Sequence, residues 1–148
     1  MSPERRGVHM RPRRSTARLA RVGPAVLYGV SLFAVSVADP PAGGLAPTGP
    51  LGLVAVDKWL HVLGYAALTL LIAYAVWPST TRWLALAGAL ALGYGVVIEV
   101  VQAFVPSRSF SVADLGANVV GITLAAALLW AWHRRRERGL DGGLSNPE

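Results

Sequence analysis

Four long apolar stretches, near residues 22–38, 59–77, 83–105 and 112–132, constrain this chain more than any other feature. About 20 consecutive apolar residues in a helix cross a hydrocarbon layer. In lipid every backbone N–H and C=O must find a partner within the protein, which leaves helices as the spanning element for stretches of this kind. With 53% hydrophobic and only 15% charged residues, the 148-residue chain is too apolar for an ordinary soluble domain. The expected fold is all-α: a polytopic membrane protein, a four-helix transmembrane bundle with both termini cytoplasmic.

Punctuation and charge divide the chain. Residues 1–21 read as a basic cytoplasmic tail, 22–38 as a first transmembrane helix, 39–56 as an extracellular Pro/Gly loop, 57–132 as a core of three transmembrane helices, and 133–148 as a second basic tail. The loop holds Pro40, Pro41, Gly43, Gly44, Pro47, Gly49 and Pro50, so no regular structure is expected before Leu51. The links at 78–82 and 106–111 are short, which makes the helices they join antiparallel neighbours. Twelve of the fourteen Lys and Arg fall in the two tails and at Arg82, all on one side of an even number of spans. The positive-inside rule makes that side the cytoplasm. Net charge of +6 is therefore an orientation signal and not a nucleic-acid footprint.

The five tryptophans agree, with Trp77, Trp83, Trp130 and Trp132 at inner ends and Trp59 at an outer one. An Arg-rich start, a short apolar core and Ser36-Val37-Ala38 also resemble a cleavable secretory signal. The length of the basic lead favours a retained, uncleaved anchor. With no cysteine, neither a disulfide nor a thiolate site is available.

Against this apolar background, Asp57, Lys58, His61, Glu99, Gln102, Arg108, Asp114 and Asn118 stand out, because polar groups in a bilayer need a partner, a wet recess or a function. Asp57 and His61 are four apart, Glu99 and Gln102 three, Asp114 and Asn118 four, so each pair shares a helix face. At about 1.5 Å rise per residue, Glu99 lies roughly 9 Å below Val105, while His61 and Asn118 sit about 6 Å from the acid preceding each. The pairs converge on a shallow, outward-facing polar recess.

Blander roles compete for several of these residues. Asp57 and Asp114 open helices, where carboxylates cap N–H groups, and Ser111-x-x-Asp114 resembles a capping box. Lys58 can snorkel to headgroups and carries little functional weight. Arg108 is either a solvated loop residue or an anion clamp. Gln102 and Asn118 are commonly interhelical glue. Glu99 has no such role: it lies near a helix C-terminus, where the dipole disfavours an acid, flanked by Val97, Ile98, Val100 and Val101. It must be protonated, paired with Arg108 or His61, or engaged with a ligand.

Asp57-Lys58-x-x-His61, then Glu99-x-x-Gln102-x-Phe104-x-Pro106-x-Arg108, then Ser111-x-x-Asp114-x-x-x-Asn118-x-x-Gly121 together closely resemble the VanZ-like family of small membrane proteins. The resemblance spans about residues 57–125, with Ala125 where many members carry a second small glycine, and it does not reach the N-terminal third. It implies a cell-envelope role, named for teicoplanin resistance, without an established reaction. Small residues at Ala89-x-x-x-Gly93, Ala91-x-x-x-Gly95 and Ala117-x-x-x-Gly121 favour close helix packing or a homo-oligomer.

Three functions fit. The first is binding or shielding of an amphiphilic envelope molecule, a lipid-linked headgroup or a lipoglycopeptide, through Asp57, Gln102, Arg108, Asp114 and Asn118. The second is a membrane enzyme modifying a lipid headgroup, with Glu99 and His61 as acid and base. The third and weakest is a transporter subunit. No cofactor is expected and no metal signature such as His-Glu-x-x-His is present, although Asp57 or Asp114 could take a divalent cation. Nucleic acid is not an expected partner, and the expected location is the cell membrane.

Overall fold

A computed structural model describes residues 14–39, 48–76 and 80–143. These residues form four helices, α1 (Arg14–Val37), α2 (Val56–Ala75), α3 (Thr81–Gln102) and α4 (Val112–Gly143), with a short 3-10 turn at Pro50–Gly52 and no strand. Each helix contains a stretch long and apolar enough to cross a membrane: Leu19–Val37, Val56–Ala75, Thr81–Gln102 and Val112–Arg138. The chain is an all-helical, four-helix membrane-type bundle, as its apolar stretches imply. Most of the Pro/Gly loop, the first thirteen residues and Trp77 lie outside the described residues.

The helices outrun their apolar cores. α1 begins at Arg14, inside the expected basic tail, and α4 continues to Gly143 past residue 132. Arg, Ala and Leu are good helix formers, and a hydrogen-bond ladder need not stop where hydrophobicity does. α3 instead stops early, at Gln102, where Ala103, Phe104 and Val105 turn off with N–H donors to Glu99, Val101 and Gln102 carbonyls. Pro106 has no N–H to give and disfavours helical geometry at Val105, so the helix cannot be carried through this turn. The 3-10 turn at Pro50–Gly52, where no regular structure was expected, starts on the fixed φ of Pro50.

Contacts between helix ends set the topology. The Gln102 amide at the end of α3 reaches Ser36 at the end of α1, and Lys58 at the start of α2 reaches Asp114 at the start of α4. Sequential helices are thus antiparallel, and four polar helix ends share one end of the bundle. At the other, basic end, the guanidinium groups of Arg134 and Arg136 lie 4.3 Å and 4.1 Å from the rings of Trp130 and Trp132.

Two apolar clusters fill the interior. One joins Tyr65, Leu68 and Ala91, with Tyr28, Leu32 and Tyr94 packed against it; the other joins Ala73, Leu84 and Ala87. Tyrosine hydroxyls fasten α1 to its neighbours, Tyr28 donating to the Gly64 carbonyl at 3.2 Å and Tyr94 donating to the Gly29 carbonyl at 2.6 Å. Meanwhile Leu27, Leu63, Leu90, Leu124 and Leu128 are exposed, which suits a lipid surround.

α4 packs most closely on α2, and Gly121 is the reason: a Cβ there would run into the Val62 carbonyl. Ala117-x-x-x-Gly121, a pattern that in the sequence does not say which helices touch, serves the α2–α4 contact. Gly95 faces Tyr65 and Asn118, but Gly93 has open space beside it and Ala89 is exposed, so that pair makes no close intrachain approach.

Candidate functional site

The polar residues singled out in the sequence meet at the shared end of the bundle, in two connected layers. In the first, Lys58 bridges two helix N-termini, its Nζ donating to Asp57 Oδ2 at 2.6 Å and to Asp114 Oδ1. Its side chain keeps only 26% exposure. Lys58 is thus a structural cation between carboxylates, where sequence reading had it snorkelling to headgroups. Asp57 lies in the first turn of α2, where a carboxylate suits the helix dipole, but the N-cap itself is Ala55, with no side-chain hydrogen bond, and Asp57 also pairs with Lys58.

The capping box that opens α4 is assembled from two helices. Ser111 Oγ accepts the Asp114 N–H at 3.2 Å, as an N-cap serine should. The acid that would normally reach back to the Ser111 N–H is Asp114, but Asp114 is turned to Lys58. Glu99 takes its place from α3, with Oε2 accepting the Ser111 N–H at 2.8 Å. An acid that looked misplaced at the end of one helix therefore caps the start of the next. Its second oxygen, Oε1, is buried without a partner, and the whole side chain has 0% exposure.

His61 links this region to Asn118. Its Nδ1 lies 2.9 Å from Asn118 Oδ1, and in the tautomer that donates across this contact the Nε2 lone pair is free. Nε2 lies 3.8 Å from Asp114 Oδ2. The ring stacks with Tyr65 at 6.3 Å between centroids and 7° between planes. Asn118 is fully buried, and Gly95 makes room for it, since a Cβ at Gly95 would sit 2.9 Å from Asn118 Nδ2.

Arg108 and Gln102 form the second layer, and both read α1 through its main chain. Gln102 Nε2 donates to the Ser36 carbonyl at 2.7 Å. Arg108 donates to the Ala38 carbonyl from Nε at 3.0 Å and Nη2 at 2.5 Å, while Ser107 Oγ donates to Asp39 at 2.5 Å. Arg108 is therefore not the partner of Glu99; it satisfies a carbonyl left over at the end of α1. Between α1, α2 and this layer lies a cavity of about 300 Å³, whose walls include Leu32, Val35, Asp57, His61, Gln102 and Arg108.

All seven proposed ligand and acid-base residues thus lie at one end of the bundle, with Asp57, His61, Gln102 and Arg108 on the cavity and Glu99, Asp114 and Asn118 behind it. Sequence reading discounted Lys58 and missed the roles of the Ser111 N–H and the Ser36 and Ala38 carbonyls. Main-chain groups leave no residue-type signal, while Lys58 could have been found from its two flanking helix-start acids.

The sequence model of the family described as VanZ/LLP1 matches residues 9–133. The match includes α1, so the likeness extends through the N-terminal third that the side-chain motifs did not reach. No curated protein and no solved structure matches the chain.

Proposed function

Because the chain belongs to the VanZ/LLP1 family and is built as a multi-pass membrane protein, we propose that its recess binds the headgroup end of an amphiphilic cell-envelope molecule. The candidates are a lipid-linked headgroup or a lipoglycopeptide, and the physiological outcome is shielding of the envelope and resistance to antibiotics that act there. The lining of the 300 Å³ cavity carries this reading. Leu32, Val35 and Leu60 offer an apolar wall, while Arg108, His61, Gln102 and Asp57 offer polar contacts.

Arg108 is the anion contact in this scheme. A guanidinium has five N–H donors, and two go to the Ala38 carbonyl, which leaves donors for phosphate or carboxylate. The distribution of arginines supports a recess that opens toward the outer leaflet, within reach of such a headgroup. Native mass spectrometry of the purified protein with a short-chain polyprenyl phosphate and with a lipoglycopeptide tests the proposal. Retention of either ligand, reduced at least about tenfold by Arg108→Ala, is expected; no retention, or equal retention by the variant, overturns it.

A second reading, acid-base catalysis on a lipid headgroup, draws support from the closeness of the His61 imidazole to the carboxyl groups of Glu99 and Asp114. It requires a chemically changed lipid that disappears with His61→Ala. Transport draws the least support, since the titratable cluster sits at one end of the bundle.

A further inference from the structure

We propose that His61, Glu99 and Asp114 form a binding site for a divalent first-row transition-metal ion, such as Zn2+ or Mn2+, at the polar end of the bundle. One ligand atom from each, the imidazole nitrogen and two carboxylate oxygens, can be chosen so that all lie within 4.8 Å of one another. His61 Nε2 and Asp114 Oδ2 are 3.8 Å apart, inside the about 4.4 Å that two ligands at 2.0–2.2 Å from one ion can span.

The arrangement of the remaining atoms makes this more than a gathering of acids. On each of the three residues the other polar atom is already held: His61 Nδ1 by Asn118, Glu99 Oε2 by the Ser111 N–H, and Asp114 Oδ1 by Lys58. Metal ligands are oriented in this manner, with an outer shell that sets the histidine tautomer and turns each carboxylate. What is left over is Nε2, Glu99 Oε1 and Asp114 Oδ2. Glu99 Oε1 is fully buried and has no hydrogen-bond partner, so it is available to a cation.

Charge points the same way. Lys58 is shared between Asp57 and Asp114, so no Lys or Arg is paired with the Glu99 carboxyl, and a divalent ion bound by Glu99 and Asp114 would supply the missing positive charge. One nitrogen and two oxygens suit zinc, manganese or ferrous iron better than Mg2+ or Ca2+, which favour all-oxygen shells. His61 also lines the cavity, which provides a route in. Three protein ligands leave a further coordination position for water or an anionic headgroup; only that last role rests on the binding reading above. The three ligands come from three helices, which explains why no local metal signature exists.

The test uses the full-length protein in detergent, purified without a histidine tag, stripped with chelator and dialysed against Zn2+ or Mn2+. Elemental analysis should find about one ion per chain, and X-ray absorption should show one imidazole in its shell. Glu99→Gln keeps an oxygen for the Ser111 N–H while removing the charge, and His61→Ala removes the nitrogen; each should weaken binding at least about tenfold. Thermal unfolding in chelator establishes that the variants are folded, and the added ion should raise the midpoint of the wild type alone. Failure of folded wild type to retain an ion, binding by Glu99→Gln equal to wild type, or a shell without imidazole would each overturn the site. Because no lipid is present, failure here leaves the amphiphile reading standing, and loss of amphiphile retention with an intact ion leaves the metal site standing.

Discussion

Glu99 Oε2 on α3 accepts the backbone N–H of Ser111 at 2.8 Å, so the first turn of α4 is capped by the last turn of the preceding helix. The link between them, residues 103–111, turns back through Pro106 and brings donor and acceptor together. Removing the carboxyl leaves a part-buried N–H unsatisfied, which costs about 1–3 kcal/mol. Glu99→Ala should therefore destabilise the protein by that amount in denaturant titration in detergent, and Glu99→Gln, which can still accept, by less than half of it. Equal losses for the two variants would show that the hydrogen bond is immaterial.

The α2–α4 seam is expected to be the least forgiving contact. Gly121→Ala places a methyl group against the Val62 carbonyl, where only backbone movement relieves the clash, and overpacking of this kind costs about 1–3 kcal/mol. Gly93→Ala meets nothing within 4 Å and replaces a poor helix former, so it should be neutral or slightly stabilising. Paired melting curves in one detergent separate the two; a neutral Gly121→Ala would refute the close approach.

Lys58 tests whether its bridge is structural. Lys58→Met leaves Asp57 and Asp114 facing each other without their shared cation, a partly buried loss of about 1–2 kcal/mol after solvent screening at 26% exposure. Combining it with Asp114→Asn should recover part of the loss, and a double-mutant cycle measures the coupling. A lysine that merely snorkels would show none.

Membrane orientation can be read by thiol labelling, since the chain has no native cysteine. Ser109→Cys, exposed beside the recess, should react with an impermeant maleimide in intact cells, and Glu137→Cys, exposed at the basic end, only after permeabilisation. The reverse pattern would invert the topology and place the recess on the cytoplasmic side.

The four helices and the convergence of the polar pairs were legible because both rest on periodicity: apolar runs of spanning length, and pairs three or four residues apart. Partnerships were less so. Glu99 was recognised as lacking a local role, yet its partner is the amide of Ser111, which any residue but proline would supply. Arg108 was matched to Glu99 by charge, but it serves a carbonyl at the end of α1. Lys58 was set aside on its side chain's usual habit, because pairing between α2 and α4 is a property of tertiary packing. Helix ends were misplaced wherever propensity carried a helix beyond its apolar core, as at Arg14 and Gly143.

α1 is held at the recess by its main chain, through the Ser36 and Ala38 carbonyls, and so the latch there does not care which side chains α1 carries. What it measures is length. Replacing Leu27 or Val35 leaves both carbonyls where they are, whereas one residue inserted between Gly29 and Ser36 rotates the carbonyls by about 100° around the helix and withdraws them from Gln102 and Arg108. The first helix behaves as a ruler for the wall of the cavity: free to vary along its exposed face, bound to end at one height.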